Sequence, residues 1–160
     1  MRTFLKSWLV LSLVLLASCA SSTTMQLPPD FAQLLHRADF RATTSDDAVL
    51  QVHEVLDPTV KSEPKFWIDA LRSDFVGQRG YVETGAGEVT DGEGALGQWV
   101  EFSGGLRGEK VGYLVAVWVR SGGLFGLGAA RLRVVEFGGR EAVYGARVEA
   151  VKKALATVRG

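Results

Sequence analysis

The nine residues from Val111 to Val119 constrain the fold of this chain more than any other stretch. Val111, Tyr113, Val115, Val117 and Val119 fall on one side of an extended strand, and Leu114, Ala116 and Trp118 fall on the other. Side chains alternate across a strand, so a run that is apolar in both phases has to be covered on both faces. Two amphipathic segments can supply that cover. Ser62-Glu63-Pro64 opens the first with a candidate serine cap, an acidic first turn and a proline where its missing N–H costs nothing. Phe66, Trp67, Ala70, Leu71 and Phe75 then recur at helical spacing, and Gly77 closes the segment. The second runs from Arg140 to about Val158, where Tyr144, Val148, Val151, Leu155 and Val158 make one continuous stripe.

The remaining periodicities are those of strands. Ala38, Phe40 and Ala42 alternate with polar residues, Ser45-Asp46-Asp47 turns the chain, and Leu50, Val52 and Leu56 mark the return, which together predict a β-hairpin. Beyond the first helix come a strand from about Tyr81 to Val89, the glycine-rich turn Thr90 to Gly94, and a strand containing Leu96, Val100 and Phe102. Val111 to Val119 follows, and after Ser121-Gly122-Gly123 the chain returns through Ala130 to Phe137. Phe31 to His36 fits either a helical turn or an edge segment. The expected fold is α+β, a mainly antiparallel sheet of about five to six strands with a helix on each face. This α/β/α sandwich has the order ββαββββα and forms a single domain over 31–160.

The start of the chain has a different character. Arg2 and Lys6 precede the apolar run Leu9 to Leu16, which is shorter than the roughly 20 residues that span a bilayer and reads as a secretory signal over 1–18. Leu16, Ala17, Ser18 and Cys19 resemble the lipobox of bacterial lipoproteins, which implies lipidation of Cys19 and a membrane partner held through that lipid. Cys19 is the one cysteine in the chain, so no intrachain disulfide can form, and a thioether would remove a thiol otherwise open to stray pairing. Several acyl chains on one residue anchor firmly where a single chain holds only marginally. Residues 19–30, small and polar and then stiffened by Pro28 and Pro29, read as a lipidated tether. In lipoproteins an aspartate directly after the cysteine favours retention at the inner membrane. Ala20 stands there, so the resemblance implies the cell envelope, at the periplasmic face of an outer membrane if the host has two.

Charge and chemistry narrow the function. Removing Arg2 and Lys6 with the signal turns 18 basic against 18 acidic residues into 16 against 18, a formal charge of −2. Nucleic acid is not an expected partner, since phosphate binding needs a concentrated positive surface. The only histidines are His36 and His53, and in a strand His53 and Glu54 point to opposite faces. There is no HExxH pattern, Ser103 lacks the glycine of a nucleophile elbow, and Gly104 to Lys110 has the wrong spacing for a phosphate loop and reads as a hairpin turn. Asp69, Asp74, Glu83, Glu88, Asp91 and Glu93 are scattered over a helix, a strand and loops, so no catalytic residue, metal site or cofactor is expected. Leu124, Phe125 and Leu127, set among glycines, offer apolar surface to a partner, a ligand or the bilayer, or else fold back on the core.

The hairpin, the helix with Phe66, Trp67 and Leu71, the meander with Tyr113-Leu114-Val115-Ala116-Val117, then Arg133-Val134-Val135-Glu136-Phe137 and a closing helix resemble the PsbP-like domains over about 38–158. The resemblance lies in element order and implies a binding or assembly factor without chemistry of its own. The expectation is therefore a lipid-anchored, non-enzymatic envelope module that binds another protein. The alternative is a periplasmic carrier of an apolar small molecule, with Trp99, Trp118 and the segment Leu124 to Leu127 lining its cleft. An unrecognised hydrolase comes third.

Overall fold

A computed structural model describes residues 23–34, 40–57, 63–122 and 128–160. Its centre is one antiparallel sheet in the order β1-β2-β3-β7-β6-β5-β4. The strands are β1 (Ala32–Gln33), β2 (Phe40–Thr43), β3 (Val49–Asp57), β4 (Val82–Thr90), β5 (Leu96–Leu106), β6 (Glu109–Gly122) and β7 (Gly128–Arg140). The two-phase strand lies in β6, flanked by β5 and β7. Leu114, Ala116 and Trp118 enter one core with Leu50, Val52, Val135 and Phe137, while Val115 and Val117 enter a second with Val100 and Phe102.

Each core has its helical cover. α1 (Pro64–Arg72) begins on a proline and continues into a wider helical turn over Ser73–Gln78. It buries Ile68 and Phe75 on β5 and β6, with Trp67 and Leu71 beside them. Phe66, expected on that stripe, stays 57% exposed and meets Trp67 edge-on. The opposite face takes α2 (Glu141–Gly145) and α3 (Val148–Leu155). All five stripe residues from Tyr144 to Val158 are buried as the periodicity predicts, but the expected single helix is two. At Gly145, a poor helix former, the ladder tightens, and Arg147 N donates to Tyr144 O at 3.0 Å.

Two further differences change the expected layout. Seven strands form, not five or six, because Ala32 and Gln33 pair with Thr43 and Ala42 and make an added edge. Phe31 pins that edge by packing edge-on to Phe137, ring centroids 5.9 Å apart. The second half of the expected tether is also part of the domain. Thr24 pairs with Arg159 through hydrogen bonds of 2.8 and 2.9 Å, Gln26 N donates to Thr157 Oγ1, and Met25 is 7% exposed in the core beneath α2 and α3. Met25 and Leu27 are apolar side chains that a free tether would leave in water. Leu16, Ala17, Ser18, Cys19 and His36 lie outside the described residues. Among the described residues, no helix is long and apolar enough to cross a membrane.

Candidate functional site

α1 covers β5 and β6 but stops short of β3, so the flank of the sheet beside it is open. There lies a cleft of about 720 Å³. Its floor is Val49 and Gln51 of β3, Val111 and Tyr113 of β6, and Glu136 and Gly138 of β7. One wall is Phe75, Arg79 and Tyr81, where the helical segment returns to the sheet, and the far rim is the β5–β6 hairpin with Leu106, Arg107 and Glu109. That hairpin turns on Arg107 and Gly108, both with positive φ (53° and 86°), the geometry of a two-residue mirror-image turn. Gly138 keeps the floor low, since a Cβ there would stand 2.8 Å from the Tyr113 ring.

Glu136 is the polar centre of the floor. It sits opposite Gln51 in the β3–β7 register, and His53 and Tyr113 are the next residues on that face of β3 and β6. Tyr113 Oη donates to Glu136 Oε1 at 2.6 Å and Gln51 Nε2 donates to Oε2 at 3.0 Å, while His53 Nε2 lies 3.2 Å from Oε2. Burial, and then the bond to this carboxylate, push the Tyr113 hydroxyl well above the usual phenol range. Glu136 is thus an acceptor fixed on three sides, and both its oxygens are engaged. Around it the cleft is aromatic and cationic. Phe75 stacks on Tyr113, and the Arg79 guanidinium lies 4.7 Å from the Phe75 ring centroid while pairing with Asp74. Arg107 and Arg140 at the rim have no ion pair among the described residues.

A second polar cluster lies on the opposite face. Asp91 Oδ1 accepts the N–H groups of Glu93 and Ala95, Arg120 Nη2 reaches both Asp91 oxygens at 3.0 and 2.8 Å, and Arg133 Nη1 approaches at 3.4 Å. Arg133, only 1% exposed, also donates to the Gly160 carbonyl at 2.6 Å. Glu54 joins from β3, accepting from Thr23 and Arg131. With its charges paired against one another and against chain ends, this cluster clasps the β4–β5 turn, β7 and both termini of the described domain.

The sequence candidates map unevenly onto these features. Trp118 does not line a cleft: it is fully buried (0% exposed) in the core beneath α2 and α3, with its ring over Gly97. Trp99 is also outside the main cleft. It packs over Gly87, carries Lys152 4.5 Å above its ring and borders a separate hollow of about 260 Å³. Leu124, Phe125 and Leu127 lie outside the described residues. Five of the six scattered carboxylates resolve into ion pairs, Asp69 and Glu83 with Arg72, Asp74 with Arg79, and Asp91 and Glu93 with Arg120 and Arg133, while Glu88 is exposed on β4. Among the described residues no three His, Cys, Asp or Glu side chains converge on a metal position. Glu136 was not singled out from the sequence. The one available signal is a carboxylate set between Val134, Val135 and Phe137 in the middle of the strand.

No family's sequence profile matches the chain, and no curated protein sequence matches it. Solved structures do. LpqN of Mycobacterium tuberculosis, described as involved in cell envelope biogenesis, superposes with a TM-score of 0.63 at 11% identity, over 86% of this chain and 83% of that one. PA94 of Pseudomonas aeruginosa, a protein of unknown function, gives a TM-score of 0.52 at 9% identity, over 89% and 87%. This chain shares their fold. At such identity the likeness is one of backbone architecture, and no side chain of the cleft is carried over from either protein.

Proposed function

We propose that this chain is a lipid-anchored protein of the cell envelope that acts by binding another protein, not by catalysis. The observation that carries the reading is the cleft beside α1, where Phe75, Tyr81, Val49 and Val111 offer apolar surface around the fixed acceptor Glu136, with Arg107 and Arg140 at the rim. Such a surface recognises an extended segment that combines apolar side chains with a donor for Glu136 and an acidic group for the arginines. The resemblance of Leu16 to Cys19 to a lipobox supports the anchor, Ala20 supports the periplasmic face of an outer membrane, and the resemblance of the sequence to the PsbP-like domains supports a binding role. The fold shared with LpqN adds weight to an envelope role. A photo-crosslinking residue at Leu106, 58% exposed on the rim, is expected to give one discrete protein adduct in living cells. The same residue at the exposed Lys153 on α3 is expected to give none. Purified protein that turned over a small substrate, with no adduct from Leu106, would refute the reading.

The second reading is a carrier of an apolar small molecule. Its support is the volume of the cleft, about 720 Å³, which falls within the roughly 300–1,000 Å³ of small-molecule sites. Native mass spectrometry of protein taken from membranes decides between the two, since a carrier retains a bound mass that is released on denaturation.

A further inference from the structure

If Cys19 carries the anchor, as the reading above holds, the link from lipid to folded domain is very short. Thr23 is already fixed, donating to Glu54 Oε2 at 3.0 Å, and Thr24 is paired with Arg159. Only Ala20, Ser21 and Ser22 lie between the lipidated residue and that point. Four residue steps reach at most about 14 Å when fully extended.

The place where the chain leaves the domain is equally well defined. Thr23 sits against Glu54, Arg133 and Gly160, on the α3 side of the sheet and toward the β6–β7 hairpin end. The cleft is on the other face and at the other end. From Arg133 to Arg140 along β7 is about 23 Å at the usual strand rise. Bringing the α1 face onto the bilayer would require the link to pass around the sheet and a helix layer, about 20 Å given a layer spacing near 10 Å and a helix about 10 Å wide. The link is too short for either path. Next to the exit, by contrast, the last turn of β3 presents Leu56, 62% exposed and opposite Arg131 in register, and Arg159 is exposed beside Thr24. An apolar side chain flanked by arginines is the composition that settles at a lipid headgroup boundary.

We propose that the sheet end bearing Leu56 rests on the lipid surface that holds the anchor, so that the cleft opens into the aqueous compartment. Whatever the cleft binds then arrives from water or from a facing protein, not from the leaflet beneath the domain.

Fluorophore quenching tests this on the full-length lipidated protein. Because the chain has one cysteine and lipidation consumes its thiol, Leu56→Cys and Lys110→Cys, the latter beside the cleft rim, can each be labelled alone with a bimane. Both side chains are exposed, and neither substitution disturbs a core. In phosphatidylethanolamine–phosphatidylglycerol vesicles containing a nitroxide-headgroup lipid, the label at 56 is expected to be quenched at least threefold more than the label at 110. A flexible insertion of twenty residues between Ser22 and Thr23 is expected to remove that contrast. Equal quenching, or stronger quenching at 110, in protein that floats with the vesicles overturns the orientation while the anchor stands. A contrast that survives the insertion overturns the short link as its cause. Wild-type protein that fails to float, or Cys19→Ser that floats as well as wild type, refutes the anchor and the orientation with it.

Discussion

Asp91 gathers two backbone N–H groups and two guanidinium groups on one carboxylate with no exposed side-chain surface. Removing it leaves the N–H groups of Glu93 and Ala95 without their acceptor and takes one carboxylate from Arg120 and the buried Arg133, which keep Glu93 and, for Arg133, the Gly160 carbonyl, so Asp91→Ala is expected to cost about 3 kcal/mol in urea unfolding. A loss below about 1 kcal/mol, the range of exposed pairs, would mean that the cluster is solvated. Tyr113→Phe is a smaller test at the cleft. It deletes the 2.6 Å bond to Glu136, and a hydrogen bond to a charged group contributes roughly 1.5–3 kcal/mol. Neither carboxylate was legible as special from the sequence. Asp91 stands in a glycine-rich turn, where a solvated acid is the ordinary outcome, and its partner Arg133 is 42 positions away. Glu136 acquires its role only when β3 and β6 close on β7 and bring Gln51, His53 and Tyr113 alongside.

At the level of elements, local periodicity carried most of the information. The two phases of β6 predicted the two cores, and the stripe from Tyr144 to Val158 predicted which side of the closing helical segment is buried. Periodicity did not reveal where that helix breaks, nor that Trp118 serves packing instead of a ligand, because an apolar position reads the same in a core and in a pocket. Trp118→Ala is accordingly expected to cost about 3–5 kcal/mol as a core truncation. Gly97→Ala should destabilise as well, since its new Cβ would lie 2.5 Å from the Trp118 ring. Unchanged urea midpoints for both would return Trp118 to the list of binding residues. The contact between α1 and the edge strand β4 adds a dependence on pH. Arg72 grips Glu83 through two hydrogen bonds of 2.8 and 2.9 Å, and this pairing holds the Glu83 carboxyl below its usual range. A lowered folded value means that the contribution is complete above the unfolded value of about 4.3 and is lost as pH falls through the folded one. Both side chains are about a third exposed, which limits the pair to about 1 kcal/mol. The stability difference between wild type and Glu83→Gln should therefore be small at pH 7 and shrink as pH falls below about 4.3, and a difference that grows on acidification would contradict it.

For the molecule as a whole, the decisive departure from a reading of sequence alone is the segment from Thr23 to Phe31. Its prolines and small polar residues resemble a linker, and only the tertiary structure offers Met25, Leu27 and Phe31 a core to join. The segment that follows the proposed anchor is thereby built into the folding unit. Thr24 closes against Arg159, Thr23 against Glu54, and the ion cluster behind them binds Arg133 to Gly160. Met25→Ala removes a 7% exposed side chain, and a buried methionine truncated to alanine costs about 2–5 kcal/mol. The low end applies at this peripheral site, about 2 kcal/mol. The more telling readout is local. Amide exchange at Thr24 and Arg159, which protect each other, should accelerate together in the variant, while the centre of β6 keeps its protection. Separate responses at the two ends would mean that the segment from Thr23 to Asp30 is a tether after all. Joint acceleration would mean that one buried methionine helps hold the segment from Thr23 to Asp30 on the domain and, given the proposed anchor at Cys19, that the proposed orientation of the cleft depends on the core as much as on the lipid.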